Sequence, residues 1–168
     1  MNLTEKQWLQ VRTPEFKRWF GDWEVANAYK FAMEGKEVST LTGKEFQKDG
    51  VPLTKKVPAY YKQIGKMEAV NPELGSVTLA TEKENGEVKS RGVKSSIAHS
   101  GTGPEKSAAF AAVPEIIENG IVYNREKNWK GRAYDSAVIV APIKIGNEMY
   151  IGEAVVVRNK DGQRFLFT

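Results

Sequence analysis

The sequence predicts an α+β fold: an antiparallel β-meander sheet packed by one or two helices, preceded by a segment of short helices. Near its end the chain has three runs rich in Val, Ile and Phe, separated by Gly-Asn and Asn-Lys-Asp-Gly turns. Apolar runs bounded by such turns are typical of strands. A stretch around residue 110 has the apolar spacing of a helix, and the first 65 residues contain several helix-start patterns.

Length and composition fit one well-cored domain, or a domain with a helical appendage. The chain has 168 residues, 40% hydrophobic and 27% charged, which is ordinary for a globular protein. Because there is no cysteine and only one histidine, disulfides, thiol nucleophiles and histidine-rich zinc sites are excluded, and we expect no metal and no cofactor. The formal net charge of +4 permits a polyanionic partner such as RNA without requiring one.

The sequence also predicts a cytoplasmic protein without membrane contact. No apolar run reaches the ~18 residues that span a bilayer. The start of the chain, "MNLTEKQWLQ", lacks the apolar core of a signal peptide.

Helix-start patterns recur in the first segment. Two pairs predict capping boxes: Thr4 with Gln7, and Thr42 with Glu45. Residues 53–65 predict a further short helix, interrupted by Pro58 and ended by Gly65.

The segment after Thr13 predicts a helix with an aromatic face. Thr13 is the expected N-cap and Pro14 the first helical residue. Aromatic side chains then follow at helical spacing, so that they share one face: Phe16, Trp19, Phe20 and Trp23. This face either packs on the protein's own core or docks on another domain or partner. We favour the core, because aromatic stripes at helical spacing are usually buried.

A turn at residues 71–75, Asn-Pro-Glu-Leu-Gly, predicts a boundary. We divide the chain into a helical N-terminal segment, residues 1–69, and an α+β domain, residues 70–168. In the second part, alternating residues around Asn85-Gly86 predict a hairpin. The three apolar runs that follow predict strands that are buried on both faces of the sheet.

Between the hairpin and these strands, residues 102–120 predict a helix. Thr102 and Glu105 form a capping pair, Pro114 is expected to kink the helix, and Gly120 to end it.

His99, the lone imidazole, is the strongest candidate for proton transfer, since its unperturbed pKa lies near neutrality. It precedes the predicted helix start at Thr102, and free N–H groups at a helix start bind phosphate. Lys106 adds a full positive charge there. The alternative is that His99 is a surface loop residue and Lys106 only solvates the helix.

A basic loop with interleaved aromatics is the second candidate. Residues 124–132 carry four cations, Arg125, Lys127, Lys130 and Arg132, against one anion, Glu126. The interleaved aromatic residues are Tyr123, Trp129 and Tyr134. Cations that neutralise phosphates and aromatics that stack bases suit single-stranded RNA. The alternative is a solvated loop in which Trp129 folds back on the core. A weaker candidate is Arg164, which could hold a phosphate from the last strand or face solvent.

From about residue 70 to 168, the chain resembles a domain that recurs in large polyvalent proteins and MuF-type proteins of phages and conjugative elements. The resemblance follows the order Ala98-His99, Lys106, "VPEIIENG", "WKGRAYD", "APIKIG" and a final Arg-aromatic strand. Domains of this kind are similar to the barnase/EndoU/colicin/RelE-like nucleases, which pack a helix pair on an antiparallel sheet and cut RNA without metal.

This resemblance implies that residues 70–168 are nuclease-like, with His99, Lys106, Arg132 and Tyr134 as catalytic residues. It implies substrate binding by Thr102, Lys130, Trp129 and Arg164. One departure matters: such modules run from the Arg-aromatic strand into a His-Glu pair, whereas here Thr168 stands about where that histidine would fall. A weakened, truncated or inactive enzyme therefore stays open, as does a different proton donor.

The predicted function is a metal-independent endoribonuclease in which the ribose 2′-OH attacks the adjacent phosphate and leaves a 2′,3′-cyclic product. The expected partners are RNA, with tRNA as one candidate class, and an immunity or inhibitor protein. The alternative is a non-catalytic module of a polyvalent protein that binds nucleic acid or a partner. An ADP-ribosyltransferase fits less well, because its Arg, Ser-Thr-Ser and Glu-x-Glu motifs do not occur in order.

Overall fold

The computed structural model describes residues 4–11, 13–15, 23–47, 49–100, 103–126, 135–159 and 162–167. Within them the α-helices are α1 (Glu5–Val11), α2 (Trp23–Glu34), α3 (Leu53–Gln63), α4 (Arg91–Ser100), α5 (Pro104–Ala109) and α6 (Val113–Asn119). The strands are β1 (Ser39–Leu41), β2 (Glu68–Asn71), β3 (Gly75–Thr78), β4 (Thr81–Glu82), β5 (Val88–Lys89), β6 (Ile121–Glu126), β7 (Asp135–Ile145), β8 (Glu148–Asn159) and β9 (Gly162–Phe167). The predicted α+β class is confirmed.

The main sheet has the strand order β1-β7-β8-β9-β3-β2, and β6 also pairs with β7. The predicted antiparallel meander β7-β8-β9 is confirmed. Gly146, with a φ of 61°, makes the tight turn between β7 and β8, a backbone conformation that glycine adopts at low cost. Two parallel pairings, β1 with β7 and β3 with β9, make the sheet mixed and were not predicted.

The hairpin around Asn85-Gly86 is confirmed but short, with strands β4 and β5 of two residues each. Gly86 adopts a φ of 86°, and the Glu87 N–H donates to the Asn85 side chain at 3.0 Å.

The chain then turns at once into helix α4, which the sequence analysis missed. The Val93 N–H donates to Ser90 Oγ at 3.3 Å, so Ser90 caps the helix. Val93 and Ile97 lie four residues apart and so share the face that packs on the core.

The predicted helix over residues 102–120 forms as three pieces. Gly103, not Thr102, is the N-cap of α5, with an extended backbone and no side-chain cap bond, and Thr102 lies outside the described residues. Pro104 at the first helical position requires this extended residue before it. A 3₁₀ turn, Phe110–Ala112, separates α5 from α6, so the break expected at Pro114 is confirmed, and Gly120 ends the helix as predicted.

The two predicted capping boxes have different outcomes. Thr4 and Gln7 exchange side-chain to backbone bonds of 3.1 and 3.2 Å and start α1. Thr42 and Glu45 also bond, since the Glu45 carboxylate accepts the Thr42 N–H at 2.9 Å, but no helix follows. Gly43 and Phe46 have φ values of 88° and 57°, which a right-handed helix excludes.

The predicted interruption at Pro58 is wrong, because α3 continues through this proline, which is buried in the helix. The helix ends before Gly65, whose φ is 71°, as predicted. In the predicted aromatic helix, residues 16–20 lie outside the described part of the chain, and Trp23 is the first residue of α2. The preference for packing of that face on the core, over docking on another domain or partner, therefore stays a prediction.

The sheet is covered on both faces, as predicted, but helices pack on each face, whereas the sequence predicted one or two helices on one side. The larger core lies between the sheet and α3 to α6 and includes Val57, Tyr61, Phe110, Ile116 and Ile139. A smaller core lies between α2 and the opposite face, formed by Ala28, Ala32, Tyr123 and Val140.

Residues from both sides of the predicted division at 69/70 pack together. β1 pairs with β7, and α3 contributes Val57 and Tyr61 to the larger core. The division itself stays a prediction.

Candidate functional site

Lys106 is the predicted site residue whose surroundings the structure describes best. It is the third residue of α5 and is partly buried. Burial lowers the pKa of its ammonium group, because desolvation disfavours the charged form. Its side chain lines a cavity of about 480 Å³ between α5, α2 and strand β8.

We call this cavity the β8 groove. Its walls are mostly apolar, with polar groups at the rim; its lining comprises Tyr29, Glu105, Lys106, Ala109, Ile116, Ile143, Ile145, Tyr150, Ile151, Gly152 and Glu153. Gly152 lets α6 approach the sheet, since a Cβ there would lie 2.7 Å from Ile116 Cδ1. The groove therefore depends on a residue without a side chain.

A tyrosine–carboxylate network borders the groove on the α2 side. The Tyr123 hydroxyl donates to Glu153 Oε1 at 2.9 Å, and the Tyr29 ring meets the Tyr123 ring edge-on at 5.7 Å between centroids. Burial raises the pKa of Tyr123 strongly, with further contributions from Tyr29 and Glu153. This hydroxyl therefore stays protonated and holds the Glu153 carboxylate in place.

Tyr123 was expected to be one of the aromatics of the basic loop, and this expectation is wrong. It lies in β6 with only 6% of its surface exposed. Its position follows from the alternation of β6, which turns Tyr123 onto the α2 face together with Val140 of β7.

His99 lies in the last turn of α4, not in a loop before a helix. The cap at Ser90 starts a helix that the small and polar residues around His99 do not interrupt. α4 packs against β9, the strand that contains Arg164. The side chains of His99 and Arg164 lie outside the described part of the structure.

The connection between α4 and α5 limits how far His99 stands from the β8 groove. The Cα atoms of His99 and Gly103 are four residues apart, so that even an extended chain separates them by at most about 14 Å. The two consecutive helices therefore keep the backbone of His99, the only histidine, and Lys106 in the same part of the molecule.

The basic loop joins the sheet at its other end. Lys130, Arg132, Tyr134 and Trp129 lie outside the described residues, but the flanking residues Glu126 and Asp135 are described. Along β7, Asp135 lies eight positions from Ile143, which lines the β8 groove. At the rise of a strand this is about 27 Å. The structure does not bring the anchors of the loop next to Lys106.

A second cavity, of about 280 Å³, lies at the Asp135 end of the sheet, and the sequence analysis did not anticipate it. Its charged lining residues are Arg125, Glu126, Asp135 and Arg158. Arg158 pairs with Asp135 at 3.5 Å.

Arg125 joins two other elements at this end. It forms ion pairs with Glu73 of the β2–β3 turn and, at 3.7 Å, with Glu24 of α2. These carboxylates offset much of the positive charge that the sequence assigned to Arg125.

The residues that sequence reasoning missed are Tyr29, Glu105, Glu153 and Gly152. No local pattern marks them as site residues, since Glu105 was noted only as a capping partner and α2, α5 and β8 meet only through the tertiary fold. Among the residues that the structure describes, no three His, Cys, Asp or Glu side chains are grouped to hold a metal ion. In the same part of the chain, no helix has the length and apolar character of a membrane span.

The fold and site define an α+β domain with a mixed sheet, helices on both faces and a groove along one strand edge. The chain belongs to the large polyvalent protein-associated domain 3 family, whose sequence model matches residues 48–166. The resemblance to polyvalent-protein domains is thereby confirmed, and the match takes in α3 as well. Similarity to the barnase/EndoU/colicin/RelE-like nucleases stays a prediction. No curated protein and no solved structure matches the chain.

Proposed function

We propose that this domain is the RNA-acting module of a polyvalent protein, a metal-independent endoribonuclease that uses His99 and Lys106. His99 takes the proton of a ribose 2′-OH, and the oxygen attacks the adjacent phosphorus. The bond from phosphorus to the 5′-oxygen breaks, which leaves a 2′,3′-cyclic phosphate. Lys106 stabilises the charge on the phosphorane and returns a proton to the leaving oxygen.

The observation that carries this proposal is the arrangement of α4 and α5. These consecutive helices hold the only histidine and a partly buried lysine within a short chain distance. The strand under α4 contains Arg164, which pairs with Val157 opposite Ser136 and so lies at the Asp135 end of the sheet, away from Lys106. The lowered pKa of Lys106 makes it a better proton donor than an exposed lysine.

The basic loop has a different role in this proposal from the one the sequence analysis gave it. Its anchors stand about 27 Å from Ile143 along β7, too far for a clamp on the phosphate beside Lys106. Lys130, Arg132, Trp129 and Tyr134 instead hold the RNA several nucleotides away, by charge and stacking.

The test is incubation of the chain with total RNA in EDTA. We expect cleavage by the wild type and a loss of about 10²- to 10⁴-fold in His99→Ala. Lys106→Met is expected to lose activity as well. Lys94→Ala removes an exposed lysine from the helix that holds His99, and it should cleave like the wild type. Equal cleavage by His99→Ala would remove the proposal.

A second candidate is a non-catalytic binding module, and one observation favours it. Glu105 and Glu153 line the same groove as Lys106, and two carboxylates repel a phosphate. This candidate predicts binding of a partner or nucleic acid without turnover, even with protein in excess over RNA for hours. Any His99-dependent cleavage under those conditions decides against it.

A further inference from the structure

Strand β8 has one edge that is only half paired. β8 pairs with β7 over all but its last residue, from Glu148 to Arg158, but with β9 only from Val155 to Asn159. Among the described residues, none pairs with Glu148–Ala154 on the side away from β7. A free edge presents unpaired N–H and C=O groups to which another strand can add.

The hydrogen-bond directions show which groups point outward. Pro142 of β7 lies opposite Ile151 of β8. The Pro142 carbonyl accepts the Val38 N–H at 2.9 Å, and Val38 lies on the β1 side of β7. This carbonyl therefore points away from β8. Pro142 and Ile151 therefore form a non-hydrogen-bonded pair of the ladder. Consequently the N–H and C=O of Ile151 point to the free edge, and those of Met149 follow by alternation.

The free edge is also apolar. Met149 is 53% exposed and Ile151 45% exposed, unusual values for large apolar side chains on a strand. Beside them the β8 groove opens between α2 and α5, so that an added strand would lie between two helices, with its side chains against Ile143 and Ile145. This is the geometry of recognition by strand addition.

The charge around the edge is negative. Glu105 and Glu153 line the groove, and Glu148 at the start of β8 accepts the Tyr150 hydroxyl at 3.1 Å. Among the described residues, two cations stand against these three carboxylates: Lys106 in the groove and Lys144, which lies opposite Met149 on β7. The surface thus favours an occupant with lysine or arginine side chains.

We propose that the free edge of β8, Glu148–Ala154, binds an extended segment of a partner protein in which apolar and basic side chains alternate. The backbone of that segment pairs with Met149 and Ile151, its apolar side chains enter the groove, and its basic side chains meet the carboxylates. A second copy of this chain is a poorer occupant, because each copy would bring the same carboxylates to one interface. This inference rests on the free edge and the β8 groove beside it, and it does not depend on RNA cleavage.

The test uses the full chain and a labelled peptide of alternating lysine and valine, as long as the free edge, followed by fluorescence anisotropy. We expect saturable binding that weakens with salt. The same peptide with N-methyl groups on alternate residues cannot complete the ladder, and we expect at least tenfold weaker binding.

Two pairs of variants locate the site. Ile151→Pro removes the outward N–H without removing a β7–β8 bond and should weaken binding at least tenfold. Ile151→Val keeps that N–H and should bind like the wild type. Glu148→Lys should weaken the lysine peptide and strengthen one of alternating glutamate and valine. This exchange of preference keeps the test decisive even if Ile151→Pro fails to fold.

Several results would overturn the inference. They are absence of saturable binding to the wild type, equal binding of the N-methylated peptide, and equal binding by Glu148→Lys. Concentration-dependent dimers of the wild type that Ile151→Pro abolishes would assign the edge to a second copy. Displacement of the peptide by a short RNA, with equal affinity for Glu148→Lys, would assign it to nucleic acid.

Discussion

At the scale of single residues, a buried hydrogen bond in the larger core joins α3 to the 3₁₀ turn. Tyr61 is fully buried, and its hydroxyl donates to the Phe110 carbonyl at 2.7 Å. Burial raises the pKa of this tyrosine well above its usual range, so it donates at every physiological pH.

We therefore predict that Tyr61→Phe lowers the free energy of unfolding by about 1 kcal/mol, the usual net worth of a hydrogen bond. Urea denaturation measures the change. Tyr60→Phe is the matched control, since Tyr60 is only partly buried, and it should stay within about 0.5 kcal/mol of the wild type. Equal losses in the two variants would show that the bond adds nothing.

Glu115 in α6 is a carboxyl group in an unfavourable place. Its Oε2 is buried and has no hydrogen-bond partner among the described residues. Burial raises its pKa above the usual 4.5. The Glu115 carboxyl group therefore stays protonated to a higher pH in the folded state than in the unfolded chain.

The sign of the pH effect follows from this difference. Ionisation costs the folded state stability as the pH rises from about 4.5 through the raised pKa, whereas below that window Glu115 is neutral in both states. We predict that the melting temperature of Glu115→Gln exceeds that of the wild type at pH 7 and that the gap narrows toward pH 4. A gap that widens on acidification would contradict the account.

At the scale of elements, the contact between α6 and the sheet is the one most sensitive to side-chain size. Ile116 packs where Gly152 has no side chain, and Gly152 lies opposite Ala141. Helix, strand and groove meet at this point.

We predict that Gly152→Val lowers the free energy of unfolding by about 1–3 kcal/mol through overpacking. Ile151→Val is the control, because this neighbouring side chain on β8 is 45% exposed, and the variant should stay within about 0.5 kcal/mol of the wild type. Chemical denaturation of both variants checks this. A Gly152→Val protein as stable as Ile151→Val would mean that Ile116 moves aside freely.

The elements that the sequence predicts correctly carry their information locally. The Gly-Asn turn, the Asn85-Gly86 hairpin and the break at Pro114 each follow from a few adjacent residues. Helix α4 was missed because Gly92 and several serines lower its helix propensity, while packing of Val93 and Ile97 supplies its stability. The parallel pairings of β1 and β3 join residues far apart in the chain, which no local pattern encodes.

At the scale of the whole molecule, the long strand β7 separates two regions of different charge. The basic loop attaches at Asp135, whereas the β8 groove with Glu105, Glu153 and Lys106 lies around Ile143. The sequence predicted both Lys106 near a helix start and the basic loop. It could not predict their separation, since this depends on which end of β7 each element meets.

This separation predicts a division of kinetic roles. The double variant Lys130→Ala and Arg132→Ala should raise KM for RNA several-fold and leave kcat unchanged, because the proposed function gives these residues a role in holding RNA and not in the reaction. Lys106→Met should lower kcat instead. Steady-state cleavage of a short labelled RNA measures both constants. A fall in kcat alone for the double variant would place the loop at the reacting phosphate.

The most direct test of the central claim uses DNA oligonucleotides that each contain one ribonucleotide, one oligonucleotide for each base, incubated with the chain in EDTA. The account predicts a single cut on the 3′ side of a ribonucleotide, a 2′,3′-cyclic phosphate by mass spectrometry, and no product with His99→Ala. Cuts at positions without a 2′-OH, products that end in a 5′-phosphate, or no cut at any ribonucleotide would contradict it.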